Sequence, residues 1–104
     1  MVRYSYHMTP EAIQRVVLAV LKDVQELSGR EWEPLAVTAK PIGVLAGFDS
    51  LCSIETTVLL ELKLGCPLLG SSSLFISEDG NRALTVQEVS QRIHKMITTE
   101  QGKR

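Results

Sequence analysis

The sequence predicts an all-α domain of four helices: three long ones and a short third one. Three observations lead there. Ile13, Val16, Val17, Val20, Val24 and Leu27 fall on one side of a helix, in a stripe roughly 100° wide. Val86, Val89, Ile93, Met96 and Ile97 share a second such face, directly after a capping box at Thr85-Val86-Gln87-Glu88. Between them, Ser50 to Leu64 reads as the second helix, also long, opened by Asp49-Ser50 and ended by Gly65 and Pro67.

The 104 residues make one domain, 1–104, with an ordered core over about 9–98. A formal net charge of -1 leaves no basic excess to neutralise phosphates, which argues against a nucleic-acid partner. No run is long and apolar enough to span a bilayer, and no signal peptide opens the chain, so no membrane insertion and cytoplasmic residence are expected. Cys52 and Cys66 lack a C-x-x-C spacing and read as two reduced thiols rather than a metal site or a disulfide.

Residues 1–8 carry Tyr4, Tyr6 and His7 without periodicity and read as a loose lead-in. Thr9-Pro10-Glu11 starts the first helix with a capping hydroxyl, a proline at the first helical position and an acid in the first turn. Ser28-Gly29 stops it. Residues 30–46 hold Pro34, Pro41 and Gly43 and read as a long loop. Trp32, Leu35, Val37, Ile42, Val44 and Leu45 are its expected apolar anchors across the helices.

The second long helix carries two apolar stripes. Leu51, Ile54, Val58 and Leu62 form one; Thr57, Leu60 and Leu64, with small Ser53, form the other, roughly 150° around the axis. Periodicity leaves open which of them faces inward. Leu68 to Ile76 suits a single short helical turn, and Ser77 to Arg82 is a polar turn built on Asp-Gly-Asn. His94 sits at the edge of the last helix's apolar face and reads as an ordinary, partly exposed histidine. Residues 98–104 are polar and are expected to fray.

The chemistry concentrates at Gly47-Phe48-Asp49-Ser50-Leu51. Gly47 permits a tight turn, and Asp49 and Ser50 supply two oxygens suited to a helix start. A helix beginning here presents unpaired amides and the positive end of its dipole beside the Ser50 hydroxyl, a good place to hold a phosphate. Ser50 also has a plain reading as a helix cap. No G-x-S-x-G elbow surrounds it and neither histidine is near it in sequence, so a serine hydrolase is not indicated.

This stretch resembles the attachment site of acyl carrier proteins, in which the serine of a G-x-D-S-L motif begins the second helix and carries 4′-phosphopantetheine. The order helix, long loop, motif helix, short segment, helix follows that family over nearly the whole chain, and Leu84 to Gln87 is close to the opening of its last helix. The resemblance implies a four-helix acyl-carrier-like bundle and a non-enzymatic protein that holds acyl intermediates as thioesters. It implies phosphopantetheine on Ser50, taken from coenzyme A by a phosphopantetheinyl transferase, with Asp49 and Leu51 flanking the arm.

It also assigns the two stripes. Leu51, Ile54, Glu55 and Val58 would face partner enzymes (loading enzymes, synthases or acyltransferases), and Thr57, Leu60 and Leu64 would face the core. Two departures stand out: the net charge is near zero where free-standing carriers are strongly acidic, and Cys52 follows Leu51 where fatty-acid carriers have aspartate. Together with the lengthened 77–83 loop they favour a specialised fatty-acid, lipid or polyketide pathway, served by a monomer acting in trans. A peptidyl or aminoacyl carrier, and an unmodified helical interaction domain that retains the motif, stay open as alternatives.

Overall fold

Thr9 opens helix α1 (Pro10–Leu27) by accepting the Ala12 amide on its hydroxyl at 3.1 Å, and Pro10 takes a position that needs no amide bond. The computed structural model describes residues 8–65, 67, 68 and 73–102, the final four by backbone alone. Ile13, Val17, Val20, Leu21 and Val24 are buried along α1. Leu27, expected in the buried stripe, is instead 85% exposed, and Leu21 and Gln25 are buried in its stead. The buried face is turned that way by Gln25, whose Nε2 donates to the carbonyls of Glu31 at 3.0 Å and Ala46 at 2.8 Å. Two backbone segments across the loop thus draw this polar side chain inward.

The long connection is not wholly loop. It contains α2 (Pro41–Val44), a single turn closed by the Leu45 amide on the Pro41 carbonyl at 3.0 Å. Gly43 inside it has φ +105°, so there is no regular period for a sequence pattern to carry. The turn buries Leu45 and leaves Val44 outside at 60% exposure, against the expectation that both anchor the loop. Trp32, Leu35, Val37 and Ile42 are partly buried against the core, as expected of anchors. The loop also completes another helix. Its Ala39 and Val37 carbonyls accept the Val86 amide at 3.1 Å and the Gln87 amide at 2.8 Å, first-turn groups that have no partner within their own helix.

That helix, α4 (Val86–Gly102), starts from the predicted capping box. The Glu88 amide donates to the Thr85 hydroxyl at 3.0 Å, and the Thr85 amide donates to the Glu88 carboxylate at 2.9 Å. Val86, Val89, Ile93 and Ile97 are buried. The helix continues through 98–102 rather than fraying there, and at its start Thr98 Oγ1 donates to the His94 carbonyl at 2.8 Å.

Helix α3 (Ser50–Leu64) ends at Gly65, which is left-handed at φ +71°. The short helix expected over 68–76 falls partly on residues 69–72, and Cys66 and the lead-in residues 1–7 likewise lie outside the described residues. The remainder of that segment is a turn at Leu74-Phe75 followed by an isolated antiparallel bridge between Ile76 and Ala83. The 77–82 link closes on itself, Asp79 accepting from the Ser77 hydroxyl and the Asn81 amide. Arg92 of α4 holds the segment from inside, its Nη1 donating to the carbonyls of Ile76 at 2.8 Å and Leu74 at 3.3 Å.

Among the described residues the chain thus forms four helices and no strand, an all-α fold. α1 packs against both α3 and α4. Leu60, Leu64, Leu74 and Phe75 join the buried faces of α1 and α4 in one apolar cluster. None of the helices of the described residues is long and apolar enough to cross a membrane.

Candidate functional site at the start of α3

The turn into α3 is shaped by Gly47 and Phe48. Gly47 has φ +67°, a conformation side chains strain to adopt, and Arg30 lies against it. Phe48 precedes the cap, where an apolar residue commonly fixes the direction in which a chain meets its helix. It is buried at 4% exposure and meets Phe75 edge-on, with ring centroids 5.7 Å apart and planes at 74°. Sequence reasoning left Phe48 as a variable motif position. Its place one residue before an Asx cap was the signal that could have marked it as an anchor.

Asp49 is the cap. Its carboxylate accepts the Cys52 amide at 2.9 Å, and its carbonyl accepts the Ser53 amide at 3.0 Å. The Cys52 amide holds the Asp49 carboxyl below the usual range, with a smaller contribution from the positive charge of Arg30. Arg30 itself is packed rather than solvated. Its Nη1 is buried and has no partner among the described residues, as is Gln25 Oε1.

Ser50 is therefore not the cap but the first residue of the helix. It is exposed, and its hydroxyl makes no hydrogen bond among the described residues. Its amide and that of Leu51, two of the orphan donors of a helix start, are likewise unpaired among the described residues. The Ser50 carbonyl accepts from the Ser53 hydroxyl at 2.6 Å.

The two stripes of α3 separate cleanly in exposure. Leu51 is 65% exposed, Val58 42% and Leu62 74%, with Glu55 exposed and Ile54 half-buried between them. Ser53, Thr57, Leu60 and Leu64 are buried, as are Cys52 and Thr56. The buried side carries hydroxyls at Ser53, Thr56 and Thr57. Thr57 Oγ1 donates to the Ser53 carbonyl at 2.8 Å and accepts the Leu74 amide at 3.0 Å, and the Ser53 and Ser73 hydroxyls meet at 2.7 Å. Glu61 is half-buried and accepts the Leu68 amide at 2.7 Å. Among the described residues no group of three His, Cys, Asp or Glu side chains could hold a metal ion.

The site thus brings an unengaged serine hydroxyl, two free amides and a nearby guanidinium to the positive end of a 15-residue helix. Comparison with protein-family models, with curated protein sequences and with solved structures finds no match to this chain.

Proposed function

We propose that the protein is an acyl carrier protein: Ser50 is the attachment point of a 4′-phosphopantetheine arm, and α3 presents it to partner enzymes. The observation that carries this reading is the division of labour between Asp49 and Ser50. Asp49 does the capping, which leaves the Ser50 hydroxyl exposed and without a structural task. An exposed serine at a helix start that does not cap the helix fits a site of modification.

The residues present suit a phosphodiester there. The Ser50 and Leu51 amides are available to an anion at the helix terminus, and Arg30 supplies a positive charge close enough to act on Asp49. The arm, when attached, supplies a thiol on which acyl groups travel as thioesters. A carrier modified by a separate transferase needs no base of its own beside Ser50. The stripe of Leu51, Ile54, Glu55 and Val58 is the surface offered to loading, synthase or acyltransferase partners.

Intact mass after incubation with coenzyme A, Mg²⁺ and a broad-specificity phosphopantetheinyl transferase tests the proposal. The expected result is a gain of one phosphopantetheine, absent in Ser50→Ala. No gain with any transferase would instead favour an unmodified interaction domain, the reading supported by exposed Leu51, Val58 and Leu62 on one helix face. Loading with acyl and aminoacyl donors then separates an acyl carrier from a peptidyl one.

A further inference from the structure

Arg30 lies far outside the Gly47–Leu51 stretch in the chain, yet the fold sets it at the base of the turn that leads to Ser50. Its amide donates to the Gln25 carbonyl at 2.8 Å. The fully buried Gln25 side chain joins two loop segments, since its Nε2 donates to both the Glu31 and the Ala46 carbonyls. The chain beside Arg30 is thereby clamped to the chain beside Gly47, and the Arg30 stem rests on Gly47. We propose that Arg30 is a positioning residue for the phosphodiester on Ser50: its guanidinium pairs with the phosphate and fixes the direction in which the arm leaves the domain. The inference rests on the carrier reading and adds to it the cation that receives the group.

Before attachment Arg30 is a cation without an anion. It forms no ion pair among the described residues, and its Nη1 is buried there without a partner. A guanidinium N–H left in that state is unfavourable, so the side chain gains from any anion that comes within reach. Asp49 does not fill the role. Its carboxyl is held low first by the Cys52 amide, which it accepts at 2.9 Å, and Arg30 acts on it only through charge.

Attachment brings the missing anion. A phosphodiester on Ser50 places a permanent negative charge on the residue next to Asp49, and two adjacent anions repel. The Ser50 and Leu51 amides can bond the phosphate but carry no full charge to offset Asp49. Arg30 already acts on Asp49, so it is placed to balance the pair. A guanidinium suits the task better than an ammonium, because its planar fork gives a phosphate two parallel bonds and with them a direction. The pairing needs a turn at the end of the side chain, which lifts Nη1 out of its unpartnered position.

The experiment attaches phosphopantetheine to the full-length protein from coenzyme A, with Mg²⁺ and a broad-specificity transferase, and checks the product by intact mass. Modified and unmodified forms are then compared for the parent, Arg30→Lys and Arg30→Gln. In the parent, attachment is expected to shift the Arg30 Nε–Hε NMR signal and to raise the melting temperature. In Arg30→Gln it should lower the melting temperature, because the phosphate then faces Asp49 unbalanced, and the phosphorus NMR signal should leave its parent position. Arg30→Lys keeps the charge without the fork. It should retain the sign of the parent's melting change while its phosphorus signal sits where that of Arg30→Gln does. An arginine that only supports the loop would lower the modified and unmodified melts of each variant equally and leave the phosphorus signal in place, which overturns the inference. So does a parent whose Arg30 signal is the same before and after attachment, a comparison that needs no variant to fold. A protein that gains no mass overturns the carrier reading and this inference with it, whereas a gain of mass without these differences overturns this inference alone.

Discussion

The side chain of Arg30 lies across Gly47 so closely that a β-carbon at Gly47 would stand 2.7 Å from both Arg30 Cδ and Nε. Position 47 is thus glycine for two separate reasons, a positive φ and a guanidinium stem resting on it. Gly47→Ala should destabilise the domain by about 1–2 kcal/mol from the backbone conformation alone, and by more while Arg30 is in place. Arg30→Ala should relieve only the second part. Thermal melts of the two single variants and the double variant separate the two contributions, and strict additivity would show that the side-chain contact contributes nothing.

Ser50→Ala should keep the fold and its melting temperature, within about 0.5 kcal/mol, because Asp49 rather than Ser50 caps α3. Asp49→Ala should lower the melting temperature more than Ser50→Ala does. The reverse order in a circular-dichroism melt would mean that the serine hydroxyl has a structural partner after all.

Val58 and Leu60 test the orientation of α3. Val58 is 42% exposed and Leu60 fully buried. Val58→Glu should melt close to the parent yet impair transfer of cargo to or from a partner enzyme. Leu60→Glu should unfold the domain, since an unpaired buried carboxylate costs several kcal/mol against a total of about 5–15. Chemical denaturation of both variants gives the answer, and a stable Leu60→Glu would refute the packing of this helix.

Acid should loosen the start of α4. The Thr85 amide, and after it Arg82, holds the Glu88 carboxyl below its usual value. A carboxylate with a lowered folded value stabilises the fold above the ordinary range, and that contribution is lost as pH falls below about 4. Glu88→Gln should therefore be less stable than the parent near neutrality, and the difference should shrink on acidification. A gap that is the same at both ends of a pH series of urea melts would contradict the assignment.

What could be read from the sequence was whatever repeats along a helix or sits in a capping pair. The α1 start at Thr9-Pro10, the Thr85–Glu88 box and the stop at Gly65 are local signals, and the structure uses each of them as read. Leu27 was misplaced and Leu21 passed over because hydropathy gives a stripe's width but not its centre, and Gln25 set the centre through carbonyls of residues 31 and 46. α2 and the Ile76–Ala83 bridge are too short to carry a period. At the site, the two apolar stripes of α3 were legible, but which of them faces outward came from the family resemblance, and the plain reading of Ser50 as the cap gave way to Asp49. The roles of Arg30 and Phe48 were not legible, because their partners, Gly47 and Phe75, are 17 and 27 positions away in the chain.

The hydroxyl-rich inner side of α3 sets how this helix comes apart. Ser53, Thr56 and Thr57 fill a buried face with bonds to carbonyls and to the 73–74 segment, where α1 has Ile13, Val17 and Leu21. Opening α3 alone therefore exposes less hydrocarbon to water than opening α1, and its heat-capacity change is correspondingly small. Amides of α3 should exchange with solvent deuterons through a partial opening that leaves α1 and α4 paired, so that the helix bearing Ser50 samples an unzipped form well below the temperature at which the whole domain melts.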